Sequence, residues 1–201
     1  HADRVTAIAF SGDSRYLATG SADRTLRVWD LRDPAVSEVF SGPPEGPRGL
    51  TFSPTAPLLA SVGSDGLVNF SALKQGSFEQ LDQAVPGAQV LRFSPSGLEF
   101  VAYGSRSLTL WDVPSRSVRA QKEISGNVLS VDKCPSGAWT SLNSLAEGHS
   151  AAELHNVIDG SLLIVIPHSS AITAGSIASD CKYLATATEG GTLAVWQPSL
   201  P

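Results

Sequence analysis

The feature that most constrains this chain is a short strand-like segment that recurs at a nearly constant spacing. The segments LRVWDL, LVNFSA, LTLWDV, AELHNV and LAVWQP carry, at matching places, Trp29, Phe70, Trp111, His155 and Trp196. Successive steps between these positions are 41, 41, 44 and 41 residues. Self-similarity at a period of this length indicates a propeller or a solenoid, in which each repeat buries its apolar surface against the next.

Each repeat has the same internal order of short strands. An alternating strand that closes on a turn (VTAIAFSGDS, RGLTFSPTAP, QVLRFSPSGL) precedes a second strand (RYLATGS, PLLASVGS, LEFVAYGS). A tight polar turn, the recurring segment and a weaker fourth strand follow. Pro54 and Pro95 end two of the first strands, because proline cannot donate to a strand ladder. The two-residue alternation, without the 3.6-residue spacing of helical repeats, predicts four antiparallel strands per repeat, as in a propeller blade.

The segments FSPSG, LATGSADRTLRVWD and LTLWDV resemble the consensus of the WD-repeat β-propellers, and the resemblance extends over nearly the whole chain. It implies an all-β fold of four-stranded antiparallel blades, five of them present as one propeller segment over residues 1–201. We expect the blades at residues 1–40, 41–82, 83–123, 124–166 and 167–201. The last blade is expected to have three strands, and the five blades to form an open arc of a seven- or eight-bladed ring. A closed five-bladed ring is the alternative.

The resemblance also implies a hydrogen-bonded tetrad, called the staple below. Its members are a His before the first strand, a Ser or Thr of the second, an Asp of the tight turn and a Trp indole. The first repeat supplies His1, Thr19 or Ser21, Asp23 and Trp29. The fifth supplies His168, Thr186 or Thr188, and Trp196, with Gly190 at the Asp position. Both histidines precede their Trp by 28 residues, which favours a structural role for them over a catalytic or metal-binding one.

Composition argues against several other classes of function. The net charge is −5 and the 14 Lys and Arg residues are scattered, so we expect neither nucleic acid nor a membrane surface as a partner. The longest apolar runs, such as residues 162–166, have the length of a strand. Cys134 and Cys181 are interpreted as independent thiols in turns, which favours a reducing, intracellular and cytoplasmic setting. We expect no metal, cofactor or small-molecule substrate.

The loops of one propeller rim are the expected binding surface, because loops carry function more often than cores do. Arginine is enriched in interface hot spots, which makes the rim arginines the leading candidates. The candidate partner-binding residues are Arg4, Arg24, Arg48, Asp65, Arg106 and Glu189.

The function that the resemblance implies is a non-enzymatic scaffold that docks protein partners on this rim. A narrower hypothesis places the chain in a large cytoskeletal protein of centrioles or cilia, with microtubule or centriole components as partners. The alternative is a substrate-receptor subunit of a ubiquitin ligase or similar complex. A propeller-type hydrolase is less favoured, since the sequence has no convergent set of carboxylates, histidines or metal ligands.

Overall fold

The structure, a computed structural model, describes residues 1–73, 77–85, 87–104, 107–124, 127–144 and 151–198. Every regular element in these ranges is a β-strand, and the strands form five antiparallel sheets of three or four strands each. The predicted all-β fold with one antiparallel sheet per sequence repeat is confirmed. Among the described residues there is no helix with the length and apolar character needed to cross a membrane.

Within each sheet the strands follow chain order, and each pairs with its sequence neighbour. The first sheet comprises β1 (Val5–Phe10), β2 (Tyr16–Ser21), β3 (Thr25–Asp30) and β4 (Asp33–Ser41). The second comprises β5 (Pro47–Phe52), β6 (Leu58–Gly63), β7 (Leu67–Ala72) and β8 (Ser77–Ala84). The third comprises β9 (Ala88–Phe93), β10 (Glu99–Gly104), β11 (Ser107–Asp112) and β12 (Ser117–Glu123). The fourth comprises β13 (Asn127–Lys133), β14 (Trp139–Ser144), β15 (Ala151–Asn156) and β16 (Leu162–Pro167). The fifth has three strands, β17 (Ile172–Ile177), β18 (Leu184–Thr188) and β19 (Leu193–Trp196).

The chain divides into two compact units. The first comprises residues 1–104 and 108–118 and holds the first two sheets with β9 and β10; the second holds the fourth and fifth sheets. In the first unit, one apolar layer joins Leu26 and Val28 of the first sheet to Phe52 and Leu59 of the second. A second layer in that unit contains an aromatic group, Phe70, Phe93, Phe100 and Trp111. In the second unit, the core joins the fourth and fifth sheets through Leu142, Leu154, Ile177 and Leu184.

Strand register corrects the predicted place of Phe70. In the first sheet Leu17 lies opposite Phe10 on one side and opposite Trp29 on the other. In the second sheet the corresponding Leu59 lies opposite Phe52 and opposite Ser71. Ser71 therefore stands where Trp29 stands, and the first step of the repeat is 42 residues. Because side chains alternate along a strand, Phe70 points to the opposite face and packs against Phe100, with ring centroids 5.3 Å apart.

The two cysteines form a disulfide, so the interpretation as independent thiols was wrong. Cys134 lies in the turn between β13 and β14, and Cys181 in the turn between β17 and β18. The two turns hold the same place in the fourth and fifth sheets, and packing of these sheets brings the Cα atoms to 5.4 Å, within disulfide range.

Candidate interaction face

The first-sheet staple centres on the hydroxyl of Thr19. The Trp29 indole Nε1–H donates to Thr19 Oγ1 at 3.0 Å, and His1 Nε2 lies 2.8 Å from the same oxygen. His1 Nδ1 lies 3.0 Å from a carboxylate oxygen of Asp23. Since a carboxylate only accepts, Nδ1 carries the hydrogen, and Nε2 of the neutral ring accepts the Thr19 hydroxyl hydrogen. The four groups form one chain of donors and acceptors that links β3, β2 and the turn.

Asp23 also organises the turn between β2 and β3. Its carboxylate accepts hydrogen bonds from the Thr25 hydroxyl at 2.6 Å, the Thr25 amide at 3.0 Å and the Ala2 amide at 2.7 Å. These donors, the Thr25 hydroxyl foremost, lower the pKa of Asp23 to about 2. The carboxylate therefore stays ionised, and Thr25 is a further residue of the site that the resemblance did not supply. The pattern Asp-x-Thr, in which an Asp caps the amide two residues on, is the signal that predicts it.

The fifth-sheet staple lacks the Asp and uses a backbone carbonyl instead. Thr186 Oγ1 lies 2.7 Å from His168 Nε2 and accepts from Trp196 Nε1 at 3.0 Å. His168 Nδ1 donates to the carbonyl of Ile166 at 3.0 Å, which selects the same tautomer that Asp23 selects for His1. This staple belongs wholly to the second unit.

The two alternative hydroxyls take other places. Ser21 Oγ donates to the carbonyl of Asp3 at 3.0 Å and accepts the Asp23 amide at 3.1 Å, so it shapes the turn. Thr188 Oγ1 is buried and has no hydrogen-bond partner among the described residues. Thr19 and Thr186 are the hydroxyls that contact their Trp and His.

The second sheet replaces the staple with small polar side chains. Ser61 and Ser71 occupy the places of Thr19 and Trp29, and Asn69 lies opposite Ser61. All three are buried, and Ser61 Oγ, Asn69 Oδ1 and Ser71 Oγ have no partner in the part of the chain that the structure describes.

In the fourth sheet Trp139 lies opposite Lys133, as Leu17 lies opposite Phe10, and the Val157 amide donates to the carbonyl of Trp139. Val157 therefore stands at the Trp place, which corrects the predicted place of His155. His155 lies opposite Ser141, with its Nε2 2.9 Å from Glu153. Among the described residues, neither arrangement links the second and third strands to the segment before the first strand as the staple does.

In the first unit, the β2–β3 turn, the β6–β7 turn and the loop at residues 42–46 form one surface, called the turn face below. The Gly42 amide donates to the carbonyl of Arg24 at 2.8 Å, and the Ser64 hydroxyl donates to the Glu45 carboxylate. Gly46 has φ +80°, and a Cβ there would lie 2.7 Å from the Ser21 carbonyl oxygen, so only glycine lets the loop pass this close. The loop is thereby fixed across both turns.

The structure brings four of the candidate partner-binding residues to this turn face, all exposed: Arg4, Arg24, Arg48 and Asp65. The Arg4 carbonyl accepts from Ala22 at 2.9 Å, which places Arg4 beside the first turn. Arg24 has φ 69°, and its backbone N–H and C=O are both bonded within the surface. The Asp65 carboxylate accepts the Leu67 amide at 3.0 Å and caps the second turn. Glu189 is exposed in the β18–β19 turn of the second unit, and Arg106 lies outside the described residues.

The family model for the WD domain, G-beta repeat, matches residues 1–30 and 160–197, the two stretches that contain the staples. The chain is 30% identical over 170 residues to the transcriptional corepressor LEUNIG_HOMOLOG of Arabidopsis thaliana, covering 78% of this chain and 21% of the relative. It is 36% identical over 127 residues to the WD repeat, SAM and U-box domain-containing protein 1 of Danio rerio, covering 59% and 25%. Over 197 residues it is 26% identical to the target of rapamycin complex subunit wat1 of Schizosaccharomyces pombe, covering 98% and 51%.

The chain belongs to the WD-repeat family. It spans a quarter or less of the length of the first two of these WD-repeat relatives and about half of the third. The family assignment agrees with the sheet geometry, since both stretches matched by the WD-repeat model contain a His–Thr–Trp staple.

Each unit of this WD-repeat chain has a cavity between the turns that join the first and second strands of two neighbouring sheets. A cavity of about 310 Å³ lies between the β1–β2 and β5–β6 turns and is lined by Arg15, Tyr16 and Pro54. A cavity of about 420 Å³ lies between the β13–β14 and β17–β18 turns beside the disulfide, with Asp180 and Lys182 in its wall. Within the described ranges, no group of three His, Cys, Asp or Glu side chains is arranged to hold a metal ion.

Proposed function

We propose that this WD-repeat chain is a non-enzymatic protein-interaction scaffold whose turn face docks protein partners. The observation that carries the proposal is the exposure of Arg4, Arg24, Arg48 and Asp65 on turns whose backbone is fixed by hydrogen bonds. The names of the relatives, which include a corepressor and a subunit of a complex, support an assembly role.

A fixed turn face suits binding because the backbone loses little freedom when a partner docks. The staple holds the β2–β3 turn through Asp23, and the loop at residues 42–46 ties that turn to the next sheet. Arginine side chains on such a base can form paired hydrogen bonds to carboxylates of a partner. We therefore expect an acidic patch or segment on the partner protein.

The hydrogen bonds of the two staple histidines support a non-enzymatic role. Both ring nitrogens of His1 and of His168 are engaged, by Thr19 and Asp23 in one case and by Thr186 and the Ile166 carbonyl in the other. A general base needs a nitrogen that faces a substrate. Both nitrogens of each ring are instead used in hydrogen bonds that hold its own sheet together.

Two finer roles belong to the same proposal. The narrower role, assembly in the cytoplasm at centrioles, cilia or microtubules, rests on the family resemblance alone. The second candidate is a substrate-receptor subunit of a ubiquitin ligase, and it is favoured by a relative whose name joins WD repeats to a U-box domain.

The test is affinity capture of protein partners by the parent chain, followed by charge reversal on the turn face. Arg24→Glu combined with Arg48→Glu should lower retention of the captured partner at least tenfold, because like charges then face its acidic groups. Arg32→Glu is the matched control, since Arg32 is exposed at the opposite end of the same first sheet. Equal retention by the double variant, the control and the parent would place binding away from the turn face.

A further inference from the structure

The disulfide between Cys134 and Cys181 forms part of the wall of a cavity. Both cysteines are buried, with 7% and 6% of their surface exposed, and both line the cavity of about 420 Å³ in the second unit. Cavities of a few hundred cubic ångströms take small molecules and exclude a folded protein. This cavity is therefore the route by which a small molecule reaches the sulfur atoms.

The first unit has a cavity at the matching place, beside a second sheet that has all four strands. Leu73 and Pro198 each follow the Trp place of their sheet by two residues, and each lines its cavity. Packing of neighbouring sheets therefore leaves this space open in both units. The chain has two cysteines, both in the second unit, so only the cavity of that unit holds a bond that a thiol can attack.

The turn that carries Cys181 does not depend on the disulfide for its conformation. The Cys181 amide donates to the carbonyl three residues back, and the amides of Ser14 and Gly97 make the same bond in the first and third sheets. The three residues also share a left-handed backbone, with φ 54°, 56° and 70°. Since the two other turns contain no cysteine, the Cys181 sulfur should keep its place at the cavity when the disulfide opens.

The two sulfur atoms differ in their surroundings, which gives an exchange reaction a direction. Cys134 Sγ lies 3.4 Å from Thr140 Oγ1, and because a disulfide sulfur can only accept, the hydroxyl is the donor. That hydroxyl also lies 3.4 Å from the Asp132 carbonyl, but an anionic sulfur is the stronger acceptor of the two. Negative charge that develops on Cys134 is thus stabilised, and a more stable thiolate is the better leaving group.

Two charged side chains flank Cys181 and line the same cavity. They are Asp180 and Lys182, and the Asp180 carboxylate accepts the Lys182 amide at 3.0 Å, which fixes this part of the turn. Lys182 can pair with a carboxylate of a ligand, and Asp180 can pair with an ammonium group. A thiol built on an amino acid carries both of these groups, and glutathione is such a thiol.

We propose that Cys181 is a site of thiol–disulfide exchange with a small zwitterionic thiol of the glutathione class. The thiolate of the small molecule attacks Cys181 Sγ and forms a new S–S bond with it. The bond to Cys134 breaks, its electron pair stays on Cys134 Sγ, and this thiolate accepts the Thr140 hydroxyl hydrogen bond. One S–S bond replaces another, so no further oxidant or reductant takes part. The product carries a mixed disulfide at Cys181, and the covalent link between the fourth and fifth sheets is lost.

The first experiment compares Cys134→Ala with Cys181→Ala, which each keep one thiol, in a mixture of reduced and oxidised glutathione. Intact-mass spectrometry measures the equilibrium constant for formation of the mixed disulfide. It should be roughly tenfold larger for Cys134→Ala, because the adduct on Cys181 lies between Asp180 and Lys182. Adding Lys182→Gln to Cys134→Ala should remove most of this difference. Arg32→Gln in the same background is the control, since it removes an exposed positive charge from the first unit.

The second experiment follows opening of the disulfide by glutathione in the folded parent, which needs no substitution. The rate should fall about threefold in Thr140→Val, which removes the donor to the leaving thiolate. Thr192→Val, in the exposed β18–β19 turn, should react like the parent. Far-ultraviolet circular dichroism checks that every variant is folded.

Four results would overturn the proposal. The first is an equal equilibrium constant for the two single-thiol variants, and the second is an equal effect of Lys182→Gln and Arg32→Gln. The third is a parent disulfide that resists glutathione at concentrations that open it in the urea-unfolded chain. The fourth is a rate that rises in Thr140→Val, because exchange would then take place in the unfolded chain and not at the cavity.

Discussion

At the scale of single residues, one hydroxyl decides whether a staple exists. Thr186 Oγ1 accepts from the Trp196 indole and meets His168, whereas Thr188, two residues along the same strand, has a buried hydroxyl without a partner among the described residues. The two threonines have the same chemistry but different surroundings: Thr186 accepts from the half-buried Trp196 indole, whereas the buried Thr188 hydroxyl has no partner among the described residues. Their hydrogen bonds distinguish the two hydroxyls, although repeat spacing left both open.

Thr186→Val and Thr188→Val therefore form a matched pair. Thr186→Val leaves the Trp196 Nε1–H and the His168 ring without their shared partner and should lower the free energy of unfolding by about 1–3 kcal/mol. Thr188→Val removes an unpaired oxygen and should leave stability unchanged or slightly raised. Urea denaturation measures both. Equal losses from the two substitutions would contradict the assignment of Thr186 to the staple.

Because of Asp23, the contribution of the first-sheet staple to the free energy of unfolding depends on pH. Its pKa is lowered from 3.8 to about 2 by hydrogen bonds that its ionised form accepts, the one from the Thr25 hydroxyl foremost. A carboxylate whose pKa is lower in the folded state stabilises the fold above its unfolded pKa, and that contribution is lost as the pH falls towards the folded value. The window of loss for Asp23 therefore runs from about pH 4 down to about pH 2.

We expect the free energy of unfolding of the parent to fall across this window, and to fall less steeply in Asp23→Asn. The slope is reduced rather than abolished, because hydrogen bonds also lower the pKa values of Asp13, Asp30 and Asp159. Urea denaturation at pH 5, 4, 3 and 2 measures the slope. Asp180→Asn, in an exposed turn of the second unit, is the control. If the free energy of unfolding of Asp23→Asn fell with pH as steeply as that of the parent, Asp23 would not be a cause of the pH dependence.

At the scale of elements, strand register separates two adjacent residues of β7. Phe70 lies in an aromatic group with Phe93 and Phe100, while Ser71 faces the first sheet with an unpaired buried hydroxyl in the described structure. Phe70→Ala should lower the free energy of unfolding by about 3–5 kcal/mol, as expected for a buried aromatic side chain. Ser71→Ala should change it little or raise it by up to about 1 kcal/mol. Chemical denaturation measures the free energy of unfolding of both variants. Similar losses in Phe70→Ala and Ser71→Ala would contradict the register of β7.

The order and type of the strands were predictable because a two-residue alternation leaves a clear trace in the sequence. The weaker fourth strand that the repeat pattern predicts is present in the third sheet, for example, as β12. The place of Phe70 was not predictable from spacing. The step between the matching residues Phe10 and Phe52 is already 42 residues, and a one-residue offset moves a side chain to the other face without changing composition. Trp29, Trp111 and Trp196 did anchor the alignment correctly, since each is preceded by the same alternation of apolar residues.

At the scale of the whole molecule, the disulfide is the feature that sequence reasoning missed. Cys134 and Cys181 are separated by 47 residues, and neither belongs to a thiol-rich motif. The available signal was positional, because both lie in the turn between the first and second strands of successive repeats. Packing of neighbouring sheets brings such turns together, so equal places in adjacent repeats predict proximity when distance along the chain does not. The bond also weakens the argument from unpaired thiols to a reducing compartment.

A cross-link between segments this far apart restricts the unfolded chain more than the folded one. For a loop closed across 47 residues, the chain-entropy model gives about 4 kcal/mol of stabilisation at 25 °C. Unfolding of the second unit, followed by urea denaturation with a fluorescence probe, should therefore shift to lower urea when dithiothreitol is present. Cys134→Ala combined with Cys181→Ala should show the lowered stability without reductant and no response to it. A parent protein whose unfolding is the same with and without dithiothreitol, under conditions where free-thiol titration shows full reduction, would mean that the bond adds nothing to the fold. In that case the packing of Leu142, Leu154, Ile177 and Leu184 would suffice to hold the two sheets together.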